Sequence, residues 1–449
     1  MTVLALRLGL IAAAIAASGG TVACGRSDRS PDAGGAADSG SSVASATIEA
    51  AVTLPKGFQA TVFADSLGQA RQITTRPNGD VYLNTWRSPY DTTRRVPSGG
   101  FLVALRDTNR DGKADQIRRF GAETGSGGTG IAVFKDALYV EAGPNVLRYR
   151  LAPGELVPGS APDTIVTGLL VEGGHAMHPF TIDPEGNLFI NSGSRTNACQ
   201  QKDRQPGSSG ERPCKELATR GGIWRFSATR TGQRFDPAAR HATGIRNAGG
   251  LAINPADGAL YATQHGRDQL AENWPKVYDW KQSAELPAEE LLMVVKGGDY
   301  GWPYCYFDPA GEKRVQAPEY GGDGTKVGEC AGKLGPAAVF PAHWAPNALA
   351  FYSGNAFPAS YRGGAFIGFH GSWNRAPEPQ GGYNVVFQPF SGGKPSGEYQ
   401  VFADGFAGAS KQPGTAKHRP SGVAVGSDGA LYVSDDSGGR VWRVVYGGG

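Results

Sequence analysis

Six times along this chain an apolar strand runs into a tight turn and out into a second strand with an aromatic residue near its start. The turns are Pro77-Asn78-Gly79-Asp80, Lys135-Asp136, Pro184-Glu185-Gly186-Asn187, Ala256-Asp257-Gly258, Arg362-Gly363-Gly364 and Ser427-Asp428-Gly429. Turn residues between alternating apolar runs are the signature of a hairpin. From Gly79 to Gly429 the copies stand about 70 residues apart on average, which fits one four-stranded blade plus its loops. The pattern predicts an all-β fold: a six-bladed β-propeller over residues 49–449, with long loops at one face. Composition agrees, because 67 glycines and 30 prolines in 449 residues favour short strands and many turns over long helices. The one helix-like piece, residues 284–292, is expected to cap a loop.

The N-terminus reads differently. Arg7, an apolar run over residues 8–17 and the small-residue site Thr21-Val22-Ala23 form a targeting segment, residues 1–24. The run is too short to span a bilayer. A cysteine at position 24 resembles a bacterial lipoprotein signal, which implies an acylated Cys24 on an exported, periplasmic or cell-envelope protein. The Gly-, Ala-, Ser- and Asp-rich residues 25–48 read as a flexible tether. Cys199, Cys214, Cys305 and Cys330 are an even set in an exported chain and predict two disulfides, paired by proximity as Cys199–Cys214 and Cys305–Cys330. Their spacing is not that of a zinc site. With 44 basic against 41 acidic residues, no concentrated basic face points to nucleic acid.

Candidate chemistry lies at strand ends. Gly173-Gly174-His175 places an imidazole where the backbone can approach a ligand, and His175 is the candidate catalytic base. Arg246 and Asn247 precede a strand, and His265-Gly266-Arg267-Asp268 follows the next one. His370-Gly371-Ser372-Trp373-Asn374-Arg375 follows another, and Arg419 precedes the last inner strand. In a propeller such ends converge on the mouth of the central channel. His175, Arg246, Arg375 and Arg419 would meet there, with backbone carbonyls near Gly266, and guanidinium groups suit a flat anionic ligand. His178, His265, His370 and His418 read as loop or core histidines, and Trp302 and Trp373 as packing residues. Separately, Asp107, Asn109, Asp111 and Asp115, with Gly112 at the sixth position, match the first half of a calcium loop. Arg118 stands where its closing glutamate would be, so a polar hairpin turn is the alternative.

These motifs, with Tyr300-Gly301-Trp302-Pro303-Tyr304-Cys305 and Arg419-Pro420-Ser421-Gly422, resemble the soluble quinoprotein sugar dehydrogenases, in particular their sorbosone-dehydrogenase-like branch, over residues 54–446. The resemblance implies pyrroloquinoline quinone (PQQ) and Ca2+ at the channel mouth. His175 would be the base that takes a hydroxyl proton as hydride moves to the quinone. Arg246, Asn247, Arg375 and Arg419 would contact the cofactor, and the carbonyls of Gly266 and Arg267 would hold calcium. The substrate would be a sugar or related alcohol or aldehyde, and an envelope cytochrome or quinone would accept the electrons. A metal-dependent propeller hydrolase of the lactonase kind and a non-catalytic binding propeller are the alternatives.

Overall fold

All six turns of the repeat join a blade's innermost strand to its second. The computed structural model describes residues 52–87, 99–121 and 127–447; the leader, Cys24 and the tether lie outside them. The innermost strands are Ala70–Thr75, Ile131–Phe134, Phe180–Ile182, Ala248–Ile253, Pro346–Phe351 and Pro420–Val425. Each pairs antiparallel with the strand across its turn, and each packs beside the next around a ring. The chain is a six-bladed β-propeller.

The ring closes by strand exchange. Phe58–Ala64 pairs antiparallel with Val441–Tyr446 and becomes the outer strand of the last blade, which ties the two ends of the domain together. The Phe58 ring anchors this strand edge-on to Phe357, Phe402 and Tyr446, at 4.8, 4.9 and 5.0 Å between centroids. Every interface between neighbouring blades has its own apolar cluster, such as Tyr139, Ile190 and Trp224 between the second and third blades. The core is therefore distributed around the ring, between neighbouring blades.

The expected helix over residues 284–292 is corrected. Helix occupies Trp280–Glu285, Pro287 cannot continue it, and Glu289–Val294 is the third strand of the fourth blade, between Leu260–Gln264 and Ala338–Phe340. Strand pairing on both sides overrides the helical preference of Glu, Leu and Met. Both expected disulfides are formed.

Residues 107–115 join Leu102–Arg106 to Gln116–Phe120, at the end of the blade away from the channel mouth. The acidic groups close the turn on itself. Asp107 accepts from the Gly112 amide, Asp111 from Lys113, and Asp115 from both donors of Thr108. Among the described residues, no group of three His, Cys, Asp or Glu side chains is placed to hold a metal ion.

Candidate active site

Because each blade repeats the same order, the loops entering innermost strands and those joining second to third strands gather at one end of the channel. The site is built from them. Gly173 has φ +97°, and a Cβ there would lie 2.7 Å from Arg195 Cγ; glycine is what lets the loop fold onto Arg195 and present His175. The imidazole stands against Gly193, where an added Cβ would fall 2.6 Å from His175 Cβ and 2.9 Å from Asn247 Oδ1. His175 Nδ1 donates to the Ser194 carbonyl at 2.9 Å, with Ser194 Oγ also at 2.9 Å. That bond fixes the tautomer and leaves Nε2 as the acceptor. Desolvation, and then the positive charge of Arg246, hold the His175 pKa well below the ordinary histidine value, so the ring is neutral at pH 7.

Arg246 is buried and locked. Its guanidinium donates to the Asn197 carbonyl, Asn197 Oδ1, the Gly266 carbonyl and Asp268 Oδ2, at 3.1, 3.0, 2.8 and 3.0 Å. Asp268 also accepts from Arg204 at 2.9 Å and from Asn374 Nδ2 at 2.9 Å. Burial alone would raise the Asp268 pKa, but Arg246 and Arg204 outweigh it and hold the carboxyl well below its usual range. Trp302, buried, donates to the Asn197 carbonyl from beneath, in keeping with a packing role. The Cys199–Cys214 disulfide lies beside Trp302 and braces the loop that carries Asn197.

His175, Arg204, Arg246, Gly266, Asp268 and Asn374 line a cavity of about 600 Å³ together with Gly174, His265, Glu289, His343, Ala345 and Trp373. His265 is pushed down to about 3, chiefly by burial and then by Arg246. Glu289 accepts from the Gly266 and Ala345 amides and is pushed up to about 8 by burial. His343 donates from Nε2 to the Ser283 carbonyl at 2.8 Å and accepts at Nδ1 from Asn374 at 3.3 Å.

The structure thus brings together His175, Arg246, Asn247 and Gly266. Arg419 lies at the entrance to the last blade, beyond that lining: it donates to the carbonyls of His370 and Gly371 and stacks over Tyr383. Arg375 turns from the cavity to the carbonyls of Ala284, Ala342 and Pro379. The Arg267 side chain is ion-paired with buried Glu319. His178 and His418 are buried on Glu141 and Asp435, as core histidines are. Trp373 differs from the sequence expectation, being 55% exposed.

Sequence reasoning missed Ser194, Arg204, Asp268, Glu289, His343 and Asn374. Two of these signals were legible. Asp268 closes the run His265–Asp268, and Glu289-Glu290 is a charged pair at the head of an apolar stretch, which calls for buried partners.

Residues 52–447 match the family model described as TrAA12-like. The chain belongs to the TrAA12-like family. Among its relatives are the aldose sugar dehydrogenase YliI of Escherichia coli, 25% identical over 61% of each chain. The PQQ-dependent sugar dehydrogenase of Hypocrea jecorina is 28% identical over 29% of this chain and 31% of that one. The chain thus spans less than two thirds of either relative. Two solved structures share the fold at a TM-score of 0.68: the family AA12 enzyme of Trichoderma reesei and the holo PQQ domain of pyranose dehydrogenase from Coprinopsis cinerea. They are 18% and 19% identical, over 88% of this chain and 98% and 97% of those chains.

Proposed function

We propose that this member of the TrAA12-like family is a PQQ- and calcium-dependent dehydrogenase of a sugar or related alcohol or aldehyde. One observation carries the reading: a neutral imidazole, fixed at Nδ1 and free at Nε2, stands beside a locked arginine in a cavity of cofactor size. The donor chemistry fits the group. Arg246 is the cavity-lining cation for an anionic planar ligand, Asn247 Oδ1 stands beside Gly193 and His175, and Arg419 lies beyond the lining on the His370 and Gly371 carbonyls. The Gly266 carbonyl, which accepts from Arg246, and the Arg267 carbonyl would be the protein oxygens for a hard cation.

When bound, the quinone would supply the acceptor for one hydride, which carries both electrons of the oxidation, and calcium would polarise it. The chain's own residues do the rest. His175 Nε2 takes the hydroxyl proton of the substrate while the carbon loses its hydride and becomes a carbonyl. Ser194 keeps Nδ1 protonated and the ring aimed. Asp268 offsets one of the two charges of Arg246 and Arg204, so the wall stays rigid and keeps a net positive charge. Electrons would leave to an envelope cytochrome or quinone, from a protein exported and anchored through Cys24.

The test is reconstitution with PQQ and Ca2+, followed by sugar-dependent dye reduction in wild type and His175→Ala. Equal rates in the two would remove His175 from the chemistry. Metal-dependent lactone hydrolysis without any quinone requirement would replace the whole reading with a hydrolase.

A further inference from the structure

One side chain crosses the channel. Gln72 lies on the innermost strand of the first blade, and its Nε2 donates to the carbonyls of Gly249 in the fourth blade and Asn347 in the fifth, at 3.3 and 2.5 Å. In a ring of six the fourth blade stands opposite the first. All three residues sit in bulges of their inner strands, where the register slips between Ala70 and Ile73, between Ala248 and Leu251, and between Pro346 and Ala348. A bulge takes a residue out of the ladder and re-aims it. The first blade thus offers a donor at the axis and the other two offer carbonyls. Arg71, in the same bulge as Gln72, donates to Asp436 of the last blade and reaches Met177 Sδ, at the entrance to the third, at 3.6 Å. This one bulge ties the first blade to four others.

The acceptors of Gln72 stand behind the cavity wall. Gly249 follows Asn247 by two residues, and a Cβ there would fall 2.9 Å from His265 Nε2. His265 lines the cavity and bonds the Pro346 carbonyl at 3.2 Å. Asn347 follows Ala345 by two residues, and the Ala345 amide holds Glu289. Apolar packing between blades has no direction, so it lets neighbouring blades slide; two hydrogen bonds from one amide across the ring do not.

We infer that Gln72 is a positioning residue: by spanning the channel it fixes the entrances of the fourth and fifth blades. It thereby sets the wall that carries Arg246 and Asn247 against the wall that carries His343 and Ala345. Its effect on the cofactor rests on the dehydrogenase reading. A flat, rigid ligand held between two walls binds best when their spacing is set before it arrives. A residue that merely filled the channel would be replaced by methionine without loss, because methionine has the same length and no donor.

Gln72→Met makes that comparison, and Gln72→Asn keeps the amide but is one methylene too short to span. Amide hydrogen exchange and thermal melts are read on the full, cofactor-free chain, followed by equilibrium titration with PQQ in the presence of Ca2+. Both variants should exchange faster over residues 244–250 and 343–349. Their PQQ Kd should rise about tenfold, the scale of one or two lost hydrogen bonds, and the Tm increment on adding PQQ should shrink. Unchanged exchange in those segments with unchanged PQQ Kd, whatever the Tm, would make Gln72 a filler and overturn the inference. Faster exchange in both segments with no PQQ uptake even by wild type would instead overturn the dehydrogenase reading and leave the brace standing.

Discussion

His175 and Arg246 are joined through one residue: Ser194 receives the Nδ1 hydrogen of His175 on its carbonyl at 2.9 Å and donates its own amide to the Arg246 carbonyl at 2.7 Å. The orientation of the base and the placement of the nearest cation are therefore one structural unit, formed where the entrances to the third and fourth blades meet.

Removing the base and loosening its support should differ in scale. His175→Ala should lower kcat about 10²–10⁴-fold, the usual worth of a positioned base, with PQQ uptake retained. Ser194→Ala keeps the carbonyl and loses only Oγ, so kcat should fall about tenfold or less. Steady-state kinetics with equilibrium PQQ titration checks both.

The pH profile carries a sign. The base works unprotonated, and its pKa is depressed, so the acid limb of kcat/KM should lie below the ordinary histidine range. Arg246→Met removes a positive charge that favours the neutral ring, which raises the pKa and moves the limb to higher pH. A limb that stays put or moves down would assign it to another group.

Glu289 sets a stability trend. Its pKa is about 8 in the fold, against an unfolded value near 4.3. Between those values the folded state binds more protons than the unfolded one, so this group's effect on stability worsens as pH rises from about 4.5 to 8, then levels off. In cofactor-free protein, Glu289→Gln should gain on wild type in Tm across that window, as read by thermal melts from pH 5 to 8.5.

The Cys199–Cys214 bond closes a sequence separation of 15 residues, worth about 3 kcal/mol by loop entropy. The Cys199→Ala/Cys214→Ala pair should lower Tm and, by freeing the loop that carries Asn197, raise KM as well. A stability loss with unchanged KM would show that the loop keeps Arg246 in place without the bond.

Ring closure depends on Phe58. Its partly buried ring contacts four others near 5 Å, so Phe58→Ala should cost about 2–3 kcal/mol, somewhat less than the ~3–5 of a fully buried phenylalanine. Denaturant unfolding measures it, and a loss under about 0.5 kcal/mol would show that backbone pairing alone holds the ring.

The sequence alone determined the hairpins, their number, the order of the blades and the pairing of nearby cysteines, because turn chemistry and strand alternation are local. It also placed His175, Arg246, Asn247 and Gly266 at strand ends that share a mouth. Tertiary structure decided what those ends do once packed. Arg375 faces protein carbonyls, Glu289 is a strand residue folded against the Gly266 amide, and Asp268 is the counter-charge at the wall. Trp373 is left open to solvent. Each outcome depends on partners from another blade or loop, as Asn197 is to Arg246 and Ala345 to Glu289. No periodicity encodes contacts between segments that meet only when the ring closes.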